Sequence, residues 1–320
     1  MLKKDDIIFV TGHTGMVGSE IVRFFNSKGY TNIKTATRSE LDLTNQQIVN
    51  RWFSKNKIKY VIIAAGKVGG IKANAMFPAE FIYQNLMIVC NVIQAAYENG
   101  IHDLLYLGSS CIYPKFANQP IAESELLSGK LEPTNEPYAI AKISGIKLCE
   151  SFNRQYDTNY RSLMPTNLYG EGDNFDLENS HVLPALIKRF HEAKKSKADL
   201  VKVWGSGNAK REFLHVEDLV SAALHVIRLS NNIYFQSAKK TESHVNVGSG
   251  EEISIKELAE NVKKVVGFEG ELNFDKSKPE GTPRKKLDIS KIKSFGWNPT
   301  INLEEGLFRT YKWFKEYYNV

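Results

Sequence analysis

Short apolar runs alternate with longer amphipathic stretches through the first half of the chain. Ile7-Ile8-Phe9-Val10 ends at Thr11-Gly12 and reads as a buried parallel strand. Glu20–Ser27 places its apolar residues on one helical face and stops near Gly29. A second strand is predicted over about Ile33–Thr37, a helix over Gln46–Asn56 and a buried strand over Tyr60–Ala65. Ala79–Asn99 predicts a long helix stopped by Gly100, and Leu104–Gly108 another strand. Tyr138–Tyr156 predicts a second long helix, followed by a strand over Tyr160–Met164 before Pro165. This alternation predicts an α/β fold built on a doubly wound parallel sheet of Rossmann type.

Beyond Pro165 the pattern is less regular. It predicts a loop over 170–180, a helix over Leu183–Lys195, a strand at Phe213–Val216 and a helix over Asp218–Leu229. Ser230–Ser243 is polar and reads as a surface excursion. Val245–Val247 and Ile255–Val266 add a strand and a helix, and 275–286, rich in Lys, Pro and Gly, reads as a loop. The expected organisation is a dinucleotide-binding domain over 1–165 and a smaller mixed α/β substrate lobe over 166–320, with about 212–230 returning to the first domain.

Composition narrows the class without changing the fold. The 320 residues are enough for a large core, and the formal net charge of +6 is modest for that length. Basic residues cluster at Lys188, Arg189, Lys194, Lys195, Lys197 and Lys202, either a solvated helix face or an attraction for a phosphorylated substrate. No stripe of interleaved aromatics suggests nucleic acid. Cys90, Cys111 and Cys149 have no metal-ligand spacing, so no metal is expected, and they fit a reducing cytosol. No signal peptide and no apolar run of membrane-spanning length is read, so no membrane is expected.

Three segments carry chemistry. Gly12-His13-Thr14-Gly15-Met16-Val17-Gly18 follows a strand and opens a helix, which is the context of a dinucleotide site. Gly12 permits the tight turn, Gly15 the approach of a pyrophosphate and Gly18 close helix–strand packing, with the helix N-terminus facing the phosphates. Arg38, twenty residues after Gly18, stands where an arginine accommodates the 2′-phosphate of NADPH, and Asp42 lies on the same rim. The second segment, Gly108-Ser109-Ser110-Cys111, presents a hydroxyl and a thiol two residues apart. The third, Pro137-Tyr138-Ala-Ile-Ala-Lys142, puts a phenol and an ammonium on one helix face. Lys142 is expected to lower the Tyr138 pKa, leaving a phenol that trades a proton while hydride moves. Cys111 is either a small buried filler or a base facing substrate, and His181 is either a helix-start residue or its acid–base partner across a cleft. Arg211 is either a structural ion pair or a bidentate diphosphate clamp.

The chain resembles the extended short-chain dehydrogenase/reductases and, within them, the GDP-L-fucose synthase family. The likeness runs through Gly12–Ser19, Ala64–Gly70, Phe81–Asn85, Gly108–Lys115, Glu132–Lys142, Pro165–Gly170, Asn179–His181 and Lys278–Lys285. The resemblance implies NADPH reduction of a 4-keto group on a GDP-linked sugar by Ser109, Tyr138 and Lys142, after inversion of C3 and C5 by Cys111 and His181. It implies cofactor contacts from Gly12, Thr14, Gly15, Met16, Val17, Gly18, Arg38, Asp42, Ala64, Ala65, Lys142, Pro165, Asn167, Leu168 and His181. For the substrate it implies Ser110, Asn167, Arg189, Trp204, Arg211 and Lys285, and it implies a homodimer through helices 79–99 and 138–156. Thr14 stands where well-known members carry an arginine, which leaves Arg38 as the main support for NADPH. Two rivals remain: a C4 reductase without epimerisation, on a GDP-4-keto-heptose or other deoxysugar, and an NADP-binding sensor without turnover.

Overall fold

The computed structural model describes residues 2–177, 180–277 and 282–319. Asn179 and Lys278–Gly281, parts of two strings that carry the resemblance, lie outside the described residues.

The first half alternates as its hydrophobic pattern requires: β1 (Ile8–Thr11), α1 (Met16–Ser27), β2 (Ile33–Lys34), α2 (Gln46–Lys55), β3 (Tyr60–Ile63), α3 (Ile71–Met76), α4 (Pro78–Glu98), β4 (Asp103–Leu107), α5 (Glu136–Tyr156) and β5 (Asn159–Pro165). The second half adds β6 (Asn167–Tyr169), α6 (Val182–Lys195), β7 (Leu200–Trp204), β8 (Lys210–Arg211), β9 (Phe213–His215), α7 (Val216–Arg228), α8 (Asn231–Ala238), β10 (His244–Val247), β11 (Ile253–Ser254), α9 (Ile255–Val266), β12 (Glu271–Asp275), β13 (Arg284–Lys285), α10 (Ser290–Ser294) and α11 (Leu303–Tyr318).

One sheet runs in the order β10-β5-β4-β3-β1-β2 with every pairing parallel. β1, β3 and β5 are buried along their whole length, because helices cover both faces and no strand side can meet water. The chain reverses its direction of travel between β1 and β3, and the carboxyl ends there open the crevice where such sheets hold ligands.

Buried apolar side chains form two clusters. One covers the six-stranded sheet and takes in α7, α8, β10 and the Leu287–Trp297 segment. The other joins Tyr169, Phe175, α6, Val201, Val203, α9 and α11. The small strands between them, β8 with β11 and β13, carry the Arg211 and Lys285 positions side by side.

The Ser230–Ser243 segment is not a surface excursion. It contains α8, whose Tyr234 and Ala238, four residues apart, are fully buried. Buried Arg161 of β5 holds this helix down: its guanidinium donates to Leu229 O at 2.9 Å and Asn231 Oδ1 at 2.8 Å, and lies 4.5 Å from the Tyr234 ring centroid. A single apolar helical face among polar residues is a weak sequence signal, and its long-range partner is a charged residue inside a strand.

Candidate active site

The glycine turn closes with Gly15 N–H donating to Gly12 O at 3.1 Å, and α1 starts at Met16. Gly12 has φ +71°, and a Cβ there would lie 2.7 Å from Ala65 Cα. A Cβ on Gly18 would fall on the Gly12 carbonyl. Both positions are therefore fixed by internal packing. Gly15 is different, since a Cβ there would approach nothing closer than 3.6 Å, so its bareness serves whatever comes from outside. The first turn of α1 has no acidic residue and no side-chain cap, which leaves its N–H groups available to an anion. Thr11 Oγ1, at the end of β1, accepts from Ala64 N at 3.2 Å and Ala65 N at 3.0 Å and fixes the β3 exit loop opposite. This cradle fits a dinucleotide, with Thr14, Met16 and Val17 on its rim.

Arg38 is exposed on the turn after β2. Asp42 has a prior commitment: its Oδ1 accepts from Thr44 N at 3.0 Å and Thr44 Oγ1 at 2.7 Å, and these bonds hold its carboxyl below the usual range.

Ser109 and Cys111 leave the end of β4 on a short helical turn that Ser109 caps, accepting from Cys111 N at 3.2 Å. Ser110, between them, is buried. Tyr138 and Lys142 come from the first turns of α5. The Ser109 hydroxyl stands near the Tyr138 phenol and favours its ionised form. Buried Lys142 donates to Leu107 O at 2.8 Å, with its ammonium 5.8 Å from the Tyr138 ring centroid and 5.1 Å from that of Tyr106.

The expected lowering of the Tyr138 pKa by Lys142 does not occur. Burial, joined by negative charge on Cys111, raises the phenol above its ordinary value, and only the Ser109 hydroxyl opposes it. Lys142 is turned to the Leu107 carbonyl, and burial pulls its own pKa down to about 8. Tyr138 is consequently a neutral proton donor near pH 7.

Cys111 behaves in the opposite sense. Burial pushes its thiol up, but the Lys285 ammonium and the Ser109 hydroxyl together outweigh this and leave it below the ordinary thiol value. Lys285 Nζ lies 3.4 Å from Cys111 Sγ. His181 stands immediately before α6 and is exposed to solvent. Surrounding protein and the nearby Lys285 charge lower its imidazole pKa. Cys111 and His181 thus share one cation.

The remaining predicted positions fall into separate groups. Arg189 stacks over Trp204, guanidinium carbon to ring centroid 5.1 Å, and donates to Lys202 O at 3.3 Å. Arg211 is the register partner of Lys285, and surrounding protein lowers its pKa. Asn167, just after the buried end of β5 at Pro165, donates to Glu212 O at 2.8 Å, with half-buried Leu168 following it.

Sequence reasoning missed the residues that hold these groups in place. Asn85 of α4 accepts from Lys67 N and donates to Lys67 O, both at 3.0 Å, and shapes the loop beside Lys142. Fully buried Glu212 joins three segments. Its carboxylate accepts from Gly250 N at 2.7 Å and Leu287 N at 2.9 Å, while its carbonyl takes Thr166 and Asn167. The available signals were an amide on the apolar face of a helix and an acid inside an apolar strand context.

A parallel sheet with a glycine cradle at its switch point, facing a serine, tyrosine and lysine set, defines a nicotinamide-dependent oxidoreductase. The chain belongs to the NAD dependent epimerase/dehydratase family, whose model matches residues 8–248. It is 55% identical over 309 residues to the GDP-L-fucose synthase of Escherichia coli K12, covering 97% of this chain and 96% of that protein. It is 40% identical over 308 residues to the GDP-L-colitose synthase of Yersinia pseudotuberculosis, covering 96% and 97%. Among solved structures it resembles a GDP-mannoheptose C4 reductase from Campylobacter jejuni with NADP bound, with a TM-score of 0.90, 37% identity and coverage of 98% and 100%. No helix among the described residues is long and apolar enough to cross a membrane, and no group of metal-ligating side chains occurs among them.

Proposed function

We propose that this enzyme is an NADPH-dependent C4 reductase of a GDP-linked 4-keto sugar that also inverts C3 and C5. The observation that carries the reading is the meeting of two chemical sets at one place: Ser109 with Tyr138 and Lys142, and Cys111 with Lys285 and His181.

NADPH, when bound, supplies hydride. Gly12–Gly18 and the α1 N-terminus would hold its diphosphate, Arg38 its 2′-phosphate, and Lys142 with Asn167 and the Pro165–Leu168 wall its reactive end. The chain's own residues handle protons. A C4 carbonyl acidifies the hydrogens on C3 and C5. Cys111 thiolate takes such a proton and becomes a thiol, and the charge moves to O4, where Ser109 and Tyr138 hydroxyls stabilise it. His181, protonated from solvent water, delivers a proton from the opposite face and inverts the carbon, and exchange with water restores thiolate and imidazolium before the second carbon is inverted. The imidazole rests neutral beside Lys285, and the negative diphosphate of the substrate favours its protonation. In the reductive step Tyr138 gives its proton to O4. Arg211 and Lys285 supply cations to the diphosphate, while Arg189, Trp204 and Ser110 complete the substrate wall.

The 55% identity to a fucose synthase exceeds the 37% to the heptose C4 reductase, which supports the epimerase half of the reading. We also propose the division into a dinucleotide-binding part over 1–165 and a substrate lobe over 166–320 with about 212–230 returning, a cytosolic location, and a homodimer through α4 and α5. Exposed Tyr83 and Ile140 on those two helices support the dimer. The function is tested by incubating the protein with GDP-4-keto-6-deoxymannose and NADPH. Oxidation of NADPH coupled to a C3- and C5-inverted, C4-reduced product is the expected outcome. Absence of NADPH oxidation across a panel of GDP-4-keto sugars contradicts it.

A further inference from the structure

A lysine of the substrate-binding set also reaches Cys111. Lys285 was placed with the substrate diphosphate, yet its Nζ sits 3.4 Å from Cys111 Sγ, 174 residues away in sequence. The contact is built by the fold. Lys285 ends β13, in register with Arg211 of β8. The backbone that follows is held from three directions. Gln119 Oε1 accepts from Lys286 N at 2.9 Å. Ile121 N donates to Lys286 O, and Asp288 N donates to Ile121 O, each at 2.8 Å. Glu212, fully buried, accepts from Leu287 N at 2.9 Å while its other oxygen accepts from Gly250 N at 2.7 Å.

We propose that Lys285 keeps Cys111 as the thiolate before substrate arrives, and that Glu212 is the positioning residue that holds Lys285 there. This rests on the reading of Cys111 as the base for C3 and C5. It adds to that reading the source of the basicity. An ordinary thiol, with a pKa of roughly 8.5, is a few per cent ionised at neutral pH. A fixed ammonium at contact distance shifts that balance toward the anion. The other groups facing the thiol are the Ser109 hydroxyl, which also favours the anion, and the Tyr138 phenol, which is neutral and carries no compensating charge. His181 is lowered by its surroundings first and by the same ammonium second.

The test uses substrate-free, full-length protein and reads the thiol directly. The rate of Cys111 alkylation by iodoacetamide is followed against pH by mass spectrometry of its peptide, with added glutathione as the reference thiol. Wild type is expected to titrate below the ordinary thiol value. Lys285→Met is expected to raise the midpoint by a pH unit or more, so that the rate at pH 7 falls about tenfold, with the reference thiol unchanged. Lys285→Arg is expected to keep the low midpoint, because it keeps the charge. Glu212→Gln, which replaces one acceptor oxygen with an amide NH₂ donor, is expected to give an intermediate profile, and Gln119→Ala gives an independent loosening of the same segment. An unchanged Cys111 midpoint in Lys285→Met overturns the proposal. A wild-type profile in both Glu212→Gln and Gln119→Ala removes the positioning role. Solvent-deuterium exchange on the 4-keto sugar is measured separately. Its absence in wild type contradicts the epimerase reading, while a shifted thiol profile in Lys285→Met still stands as evidence for the pair.

Discussion

At the level of single side chains the site is a set of three proton-carrying groups tuned apart from one another. Tyr138 is raised and neutral, Cys111 is lowered, and His181 is lowered and neutral. Tyr138→Phe is expected to lose reduction by roughly 10²- to 10⁴-fold, the usual weight of a general acid. NADPH binding by fluorescence titration should remain near wild type, and a variant that still reduces rapidly contradicts the assignment. Cys111→Ser is expected to lose exchange at C3 and C5 while still reducing the ketone, because a hydroxyl is a far weaker base and Tyr138 is untouched. Lys142 gives a pH signature. Burial lowers its folded pKa to about 8 from the ordinary 10.5, so above pH 8 the unfolded chain binds the extra proton. Stability of the cofactor-free protein relative to Lys142→Met should therefore rise from pH 8 toward 10.5, and the cost of the buried charge should be fully present below 8. Urea unfolding of both proteins across that window checks the sign. The residue types of this set were legible in the sequence, from the spacing of Tyr138 and Lys142 and from the Ser109–Cys111 pair. The direction of the Tyr138 shift was not, because helix spacing places Lys142 on the right face without saying that its ammonium turns to the Leu107 carbonyl.

Elements set these groups by packing rather than by propensity. Gly18 lets α1 lie directly on the Gly12 carbonyl, so Gly18→Ala must move the helix or the turn. Overpacking of this kind costs typically 1–3 kcal/mol, and it would shift the very N–H groups that face the diphosphate. A lower melting temperature together with weaker NADPH binding is expected, and a variant with wild-type affinity for NADPH contradicts that role. The pair α4 and α5 carries a second prediction. Light scattering at micromolar concentration should give the mass of a dimer, and Tyr83→Glu with Ile140→Glu should give a monomer. Wild type that runs as a monomer contradicts the proposed interface. The long regular elements up to Pro165 were readable because each has an apolar period that its length makes unambiguous. The short strands β6, β8, β11 and β13 were not readable, since two or three residues carry no period. Yet β8 and β13 bring Arg211 beside Lys285, the pair proposed to meet the substrate diphosphate.

For the whole molecule, the proposed division of labour gives the sheet the cofactor crevice at its switch point and gives the later residues the cations and the imidazole. Cofactor choice belongs to this scale. With Thr14 in the glycine turn, Arg38 stands without the arginine that well-known members add, so Arg38→Ala is expected to remove most of the NADPH over NADH preference in kcat/KM. An unchanged ratio places the 2′-phosphate elsewhere. The long-range ties among Glu212, Gly250 and Leu287, and between Lys285 and Cys111, join segments far apart in sequence, and no local pattern announces them. The central claim is that one site both inverts and reduces. Its most direct measurement is the reaction of wild-type enzyme with GDP-4-keto-6-deoxymannose and NADPH in deuterated water, with the product read by NMR. The account predicts a C4-reduced sugar of inverted configuration carrying solvent deuterium at C3 and C5. A reduced product with its original configuration and no deuterium at either carbon would contradict it, leaving only the Ser109, Tyr138 and Lys142 reductase.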